Sequence, residues 1–153
     1  MNWLKDLLPP TTQRVALRTD PNINSRIRRK TIGYLDMYKD CSNSMLSSRI
    51  KTLNYEWDTE RFLEANAAAM VLGSSILGLK FSRCWFVITG MLAYFLLQHA
   101  LQGWCPPVSI IRKIGIRTAE EINNEKMVLK MMRKDFLFDY EGDGEELMKI
   151  VEK

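Results

Sequence analysis

The stretch "LLQHALQGWCPPVSIIRKIG", residues 96–115, joins the end of a long apolar run to a tryptophan, a cysteine, two prolines and then cations. A core helix stopped by proline would end this way, and so would a helix that leaves a membrane. Two features favour the membrane. Trp104 carries the amphipathic indole that collects at bilayer interfaces, and Arg112, Lys113 and Arg117 would follow in the aqueous layer. The two prolines are expected to prevent the helix from continuing.

Charge is distributed unevenly along the 153 residues. The chain has 22 Lys and Arg against 18 Asp and Glu, a formal net charge of +4, yet residues 65–104 contain only Lys80 and Arg83 as charged residues. Basic flanks beside an apolar block are typical of segments retained on the cytoplasmic side of a membrane. Because the cations are not interleaved with stacking aromatic residues, no nucleic-acid partner is expected.

Two apolar segments, residues 63–81 and 85–104, are each long enough to cross a bilayer. At 1.5 Å per residue they extend about 28–30 Å, which matches the hydrocarbon core of a membrane. Only "SRC" separates them, so we expect an antiparallel helical hairpin. Trp57, Trp85 and Trp104 would anchor its ends at the two membrane interfaces.

Small residues recur at helical spacing along the first segment and predict a face where another helix can approach closely. That helix is either the second half of the hairpin or a partner. The residues of this predicted packing face are Ala65, Ala69, Gly73, Ser74 and Gly78.

Amphipathic helical arms are predicted on both sides of the hairpin. Residues 3–8 place four apolar side chains on one face, and the acidic end, residues 139–153, suggests a flexible turn and a short helix. Between these ends, the expected helix starts are Asp20 with Pro21, Asp58 or Thr59, and a capping box of Thr118 with Glu121. The predicted fold class is an all-α membrane protein. A two-span hairpin at 59–107 lies between an N-terminal arm at 1–58 and a C-terminal arm at 108–153.

Basic residues in both arms have two interpretations. They either form solvated helix faces or contact anionic headgroups or a partner, where each cation near the surface contributes about 1 kcal/mol. The residues predicted to contact lipid or a partner are Arg26, Arg28, Arg29, Lys30, Arg112, Lys113 and Arg117.

Two side chains are candidates for chemistry. His99 lies inside the second apolar segment, where a neutral imidazole could ligate the metal of a haem or chlorophyll, or could bond a neighbouring helix or water. Cys105 is a thiol candidate, because nearby cations would lower its pKa, although the negative end of the preceding helix opposes this. Neither the three cysteines nor His99 has spacing that suits zinc, so no metal site is expected.

The segment from "WDTERFLEANAAAMVLGSSILGL" to "GWCPPVSIIRKIGIRT", about residues 57–118, resembles the YgaP-like transmembrane domain family of small bacterial inner-membrane hairpins. The resemblance rests on the charged entry at Glu60 and Arg61, the glycine-containing first span, and the Cys-Pro exit at Cys105. Some relatives carry a rhodanese domain, which implies handling of sulfane sulfur. Here Cys41 sits in "DCSNSMLSSR" without a glycine-containing anion loop, so that activity is not expected.

These observations favour a non-enzymatic, two-span protein of the bacterial inner membrane, with both termini cytoplasmic. We expect it to be an accessory or structural subunit of a larger membrane complex of respiratory or photosynthetic type. Its expected partners are membrane lipids and other integral membrane subunits, with no cofactor, nucleic acid or small-molecule substrate. The alternatives are a thiol or sulfur relay through Cys105 and a homodimeric scaffold that binds anionic lipid.

Overall fold

The computed structural model describes residues 8–136, and within them every regular element is an α-helix. The predicted helices at residues 3–8 and 139–153 lie outside this range, apart from Leu8. In chain order the helices are α1 (Arg14–Arg18), α2 (Pro21–Tyr38), α3 (Asn43–Leu53), α4 (Thr59–Lys80), α5 (Trp85–Gln102), α6 (Pro106–Lys113) and α7 (Ala119–Met132).

The predicted helix starts are confirmed by their hydrogen bonds. Asp20 accepts from the backbone N–H of Asn22 at the start of α2, and Asp58 accepts from the backbone N–H of Arg61 at the start of α4. Thr118 and Glu121 each accept from the other's backbone N–H, which is the predicted capping box. These side chains satisfy backbone donors that have no partner within the helix.

The end of α5 differs from the expectation that the prolines stop it. Helix α5 ends at Gln102 because Gly103 takes a left-handed conformation, with φ of 71°. Pro106 instead begins α6, where its fixed φ suits the first helical position. A Cβ atom added to Gly103 would lie 2.5 Å from the backbone carbonyl carbon of Arg14. Glycine therefore serves both the turn and the close approach of the N-terminal segment.

Helices α4 and α5 pack against each other across a short connection. The hydroxyl groups of Ser74 and Thr89 are 2.8 Å apart, and a Cβ atom on Gly78 would lie 3.0 Å from the ring of Phe86. Both contacts pair residues on either side of the same turn, so α5 runs back along α4.

By length and composition, one helix can cross a membrane: α4. Helix α5 meets the same criterion only together with α6, across a bend of 68°, which would be a broken span or a re-entrant segment. The described residues thus contain one candidate span, or two if the bent pair forms one. Only 17% of the apolar window of α4 is buried within the chain, whereas the core helix of a soluble protein would be mostly covered.

The chain divides into two compact units. The first combines the residues up to Arg29 with Trp57–Ile122. Its core is formed by Val15, Leu63, Cys105, Val108 and Ile111, with Phe62, Phe95 and Ile116 packed against them.

The second unit combines Lys30–Glu56 with the residues from Asn123 onward. Leu46, Ile50 and Leu129 are buried there. An ion pair joins α3 to α7, with 2.9 Å between the Arg49 guanidinium and the Glu125 carboxylate, whose side chain is fully buried.

Candidate functional site

An extended polar arrangement in the first unit is centred on Arg112, near the end of α6. Its guanidinium makes two 2.7 Å hydrogen bonds to the two carboxylate oxygens of Glu121. It also donates to the Thr19 hydroxyl, the Asn24 side-chain oxygen and the Ile116 carbonyl. Arg112 is fully buried. A planar guanidinium can satisfy so many acceptors at once because its five N–H donors point in fixed directions.

This arrangement gives Arg112 a different position from the expected contact with lipid or a partner. Its charge is paired within the chain. Its hydrogen bonds connect α6 to Thr19 and Asn24 on one side and to Glu121, in the first turn of α7, on the other. Arg117 is also buried, at 7% exposure, and its carbonyl accepts from both the backbone N–H and the hydroxyl of Thr59. Of the three cations expected in the aqueous layer after α5, only Lys113 is exposed.

A second polar cluster lies at the end of α5. His99 is 5% exposed, and neither of its ring nitrogens has a hydrogen-bond partner in the described part of the chain. The same holds for Nε of Arg14 and Oε2 of Glu60. The charge of Arg14 acts electrostatically on both His99 and Glu60. Buried polar atoms without hydrogen bonds are uncommon in folded proteins, so each of these atoms could accept or donate a bond to a water molecule or a polar group.

The predicted role of His99 as a metal or cofactor ligand requires further ligands or a cofactor pocket around it. Among residues 8–136, no group of three or more His, Cys, Asp and Glu side chains could hold a metal ion. A haem or chlorophyll ligand would still be compatible with one imidazole. A role of His99 as a metal or cofactor ligand therefore stays a prediction.

The thiol candidate Cys105 is part of the apolar core. It is 1% exposed and packs with Val15, Leu63 and Val108. Burial raises the pKa of the Cys105 thiol, and a hydrogen bond from the backbone of Val108 offsets part of this effect. Reactive cysteines combine a lowered pKa with access to a reagent. Cys105 has neither property.

The predicted packing face of α4 divides into two parts. Ser74 and Gly78 are buried and contact α5. Ala65 and Ala69 are exposed, and a Cβ atom on Gly73 would meet no other atom within 4 Å. We call these three residues the open small-residue face. The hairpin's own packing thus uses one part of the predicted face and leaves the other uncovered.

The three predicted interface anchors are partly exposed, at 51% for Trp57, 36% for Trp85 and 37% for Trp104. Trp57 precedes α4 and Trp104 follows α5, so both lie at the same end of the helix pair, whereas Trp85 begins α5 at the other end. The guanidinium of Arg61 lies over the ring of Trp57, 5.6 Å from its centre.

The cations predicted in α2 are all exposed. Within the first unit, the Arg26 guanidinium donates a hydrogen bond to the backbone carbonyl of Lys113. Within the second unit, the amino group of Lys30 lies 5.9 Å from the centre of the Tyr34 ring. Contact of the four residues with lipid or a partner stays a prediction.

Several residues of these clusters could not be found from the sequence. Arg14, Thr19 and Asn24 belong to no motif, and their partners lie far along the chain. Glu121 was predicted from its capping spacing, but nothing in that spacing identifies Arg112 as its partner. Among these residues, only Glu121 belongs to a short-range sequence pattern, the capping box with Thr118.

No curated protein and no solved structure gives a significant match to the chain. The chain is nevertheless a membrane protein, because a family of inner membrane proteins matches it and α4 is apolar, long and largely uncovered. Residues 58–121 match the model of the family described as "Inner membrane protein YgaP-like, transmembrane domain", which is the family that the sequence resembles.

Proposed function

We propose that this protein is a non-catalytic, two-span protein of the bacterial inner membrane. In this proposal it is an accessory or structural subunit of a larger membrane complex of respiratory or photosynthetic type. The observation that carries the proposal is the open small-residue face of α4, formed by Ala65, Ala69 and Gly73. In lipid, helices associate where small residues allow their backbones to approach, and the chain's own α5 uses a different part of α4.

The proposed topology has α4 and α5 crossing the membrane as an antiparallel hairpin, with both helical arms on the cytoplasmic side. The exposed tryptophans support it, since Trp57 and Trp104 lie at one end of the pair and Trp85 at the other. The basic flanks also support it. The cations Lys80 and Arg83 in the outer turn are unusual for this orientation, so the topology needs its own test.

The native cysteines provide that test. Cys84 lies exposed in the turn between α4 and α5, and Cys41 lies between α2 and α3. A membrane-impermeant maleimide applied to spheroplasts should label Cys84, whereas Cys41 should be labelled only after lysis. Labelling of Cys41 in intact spheroplasts would contradict the proposed topology.

Photocrosslinking in native membranes tests the partner. A photoreactive amino acid at Ala69 places the probe in the open small-residue face, and the same substitution at the neighbouring exposed Ala68 directs it about 100° around the helix. We expect the Ala69 probe to give one discrete adduct with another integral membrane protein, and the Ala68 probe to give none. Lipid adducts alone at both positions would refute the subunit proposal.

An adduct between two copies of the chain would instead favour the homodimeric scaffold. For the thiol or sulfur relay, Cys105→Ala is the informative variant, because the buried side chain can be replaced by a smaller apolar one. We expect this variant to retain its adduct at Ala69. The relay requires the sulfur atom, whereas the subunit role does not. A Cys105→Ala variant that keeps the adduct at Ala69 but loses a sulfur-transfer activity shown by the native chain would support the relay.

A further inference from the structure

An apolar groove opens on the surface of the first unit, between α4, α5 and α6. It has a volume of about 330 Å³, which is within the range of sites that hold small apolar ligands. Its lining includes Phe62, Ala67, Met70, Leu92, Ile110 and Ile114. Ile110 and Ile114 are each 66% exposed, so the groove is a surface feature that lacks a cover within this unit.

Two cations stand beside the groove although they are far apart in the sequence. Lys113 is the last residue of α6, directly precedes Ile114 in the sequence and is exposed. The Arg26 guanidinium bonds to the Lys113 carbonyl, which fixes this exposed arginine at the same end of α6. Arginine has five N–H donors, so it can serve an anion while it keeps this bond.

We propose that the groove binds one anionic phospholipid, with an acyl chain along its apolar lining and the phosphate at Arg26 and Lys113. The positive charges of Arg26 and Lys113 beside the groove favour a phospholipid over a partner helix. A partner helix would need only the apolar groove, whereas a phospholipid needs an apolar groove with cations at one end. The proposal rests on insertion of α4 in the membrane, and it does not require the accessory-subunit role.

Native mass spectrometry of the purified protein in detergent micelles measures this binding directly. Phosphatidylglycerol and phosphatidylcholine with the same acyl chains are titrated separately, and the dissociation constant of the first bound lipid is determined for each. We expect phosphatidylglycerol to bind more tightly, and Arg26→Gln or Lys113→Gln to weaken its binding by about fivefold each. Lys51→Gln, which removes an exposed cation of the second unit, is the matched control and should have no effect.

The groove itself is tested with Ala67→Phe, which adds a ring to its lining, against Ala68→Phe on the neighbouring exposed position. The first variant should weaken the binding of both lipids and the second should not. Lys113→Gln alters no hydrogen bond of its own side chain that the structure shows, so it remains informative if Arg26→Gln disturbs folding. Equal affinity for the two lipids, or unchanged binding in both charge variants, would overturn the proposal.

Discussion

Replacing Glu121 by glutamine removes the charge that pairs with the fully buried guanidinium of Arg112. Arg112 is fully buried and makes five hydrogen bonds, two of them to the Glu121 carboxylate at 2.7 Å. Glutamine keeps one acceptor and can still serve the capping box with Thr118. The substitution therefore removes the negative charge and one of the two hydrogen bonds to a guanidinium that is buried within the chain.

The expected magnitude follows from the geometry of this pair. Removing one partner of a buried ion pair costs about 3–5 kcal/mol. The Glu121 side chain is 24% exposed and glutamine retains one hydrogen bond, so we expect about 2–3 kcal/mol for Glu121→Gln. For a chain of 153 residues, that corresponds to a fall in Tm of roughly 4–12 °C.

Thermal unfolding in detergent, followed by far-ultraviolet circular dichroism, measures this fall. Glu120→Gln is the matched control, because it removes the same charge from the first turn of α7 without touching Arg112. A double-mutant cycle with Arg112→Met completes the test, since Glu121→Gln should cost little once the guanidinium is gone. Equal effects of the two glutamine variants, or additive effects in the cycle, would refute the reasoning.

Two further substitutions probe the same region. Gly103→Ala should destabilise the protein by more than the roughly 1–2 kcal/mol of a left-handed residue, because its Cβ would also lie 2.5 Å from the Arg14 backbone. Gly115→Ala, with φ of 93° and open space around it, should show the conformational cost alone, and equal losses of Tm would contradict the close contact. In single-cysteine variants, Cys105 should react with a maleimide at least tenfold more slowly than Cys41, since it is buried and its pKa is raised. Raising the pH should increase the rate for Cys105, and comparable rates near neutral pH would show that the thiol is accessible.

The sequence was informative wherever structure depends on near neighbours. The caps at Asp20 and Asp58 and the capping box at Thr118 are short-range patterns, and the structure confirms all three. The end of α5 was predicted within a few residues but attributed to the wrong residue type. Gly103 ends the helix, because a left-handed residue closes it before the prolines are reached.

Long-range partners could not be predicted from spacing. Arg112 resembles its exposed neighbour Lys113 in the sequence, and only the fold brings Thr19, Asn24 and Glu121 around it. A buried arginine is therefore indistinguishable from a surface arginine until its partners are known.

The division of the α4 packing face has a similar cause. Gly73 and Ser74 are adjacent in sequence but point about 100° apart on a helix. The turn after Lys80 determines which of them meets α5, and Ser74 is the one that does. The role of the remaining small residues as a packing face stays a prediction, and the sequence could not tell that α5 leaves them open.

The proposed accessory role is tested most directly by affinity capture of the tagged protein from native membranes in a mild detergent, with mass spectrometry of the associated proteins. Gly73→Leu adds bulk to the open small-residue face, and Gly90→Leu adds the same bulk to α5 where space is also open. We predict a stoichiometric set of other integral membrane proteins with the native chain and with Gly90→Leu, and loss of that set with Gly73→Leu. Recovery of the chain alone, only with copies of itself, or with an unchanged set in Gly73→Leu would contradict the account.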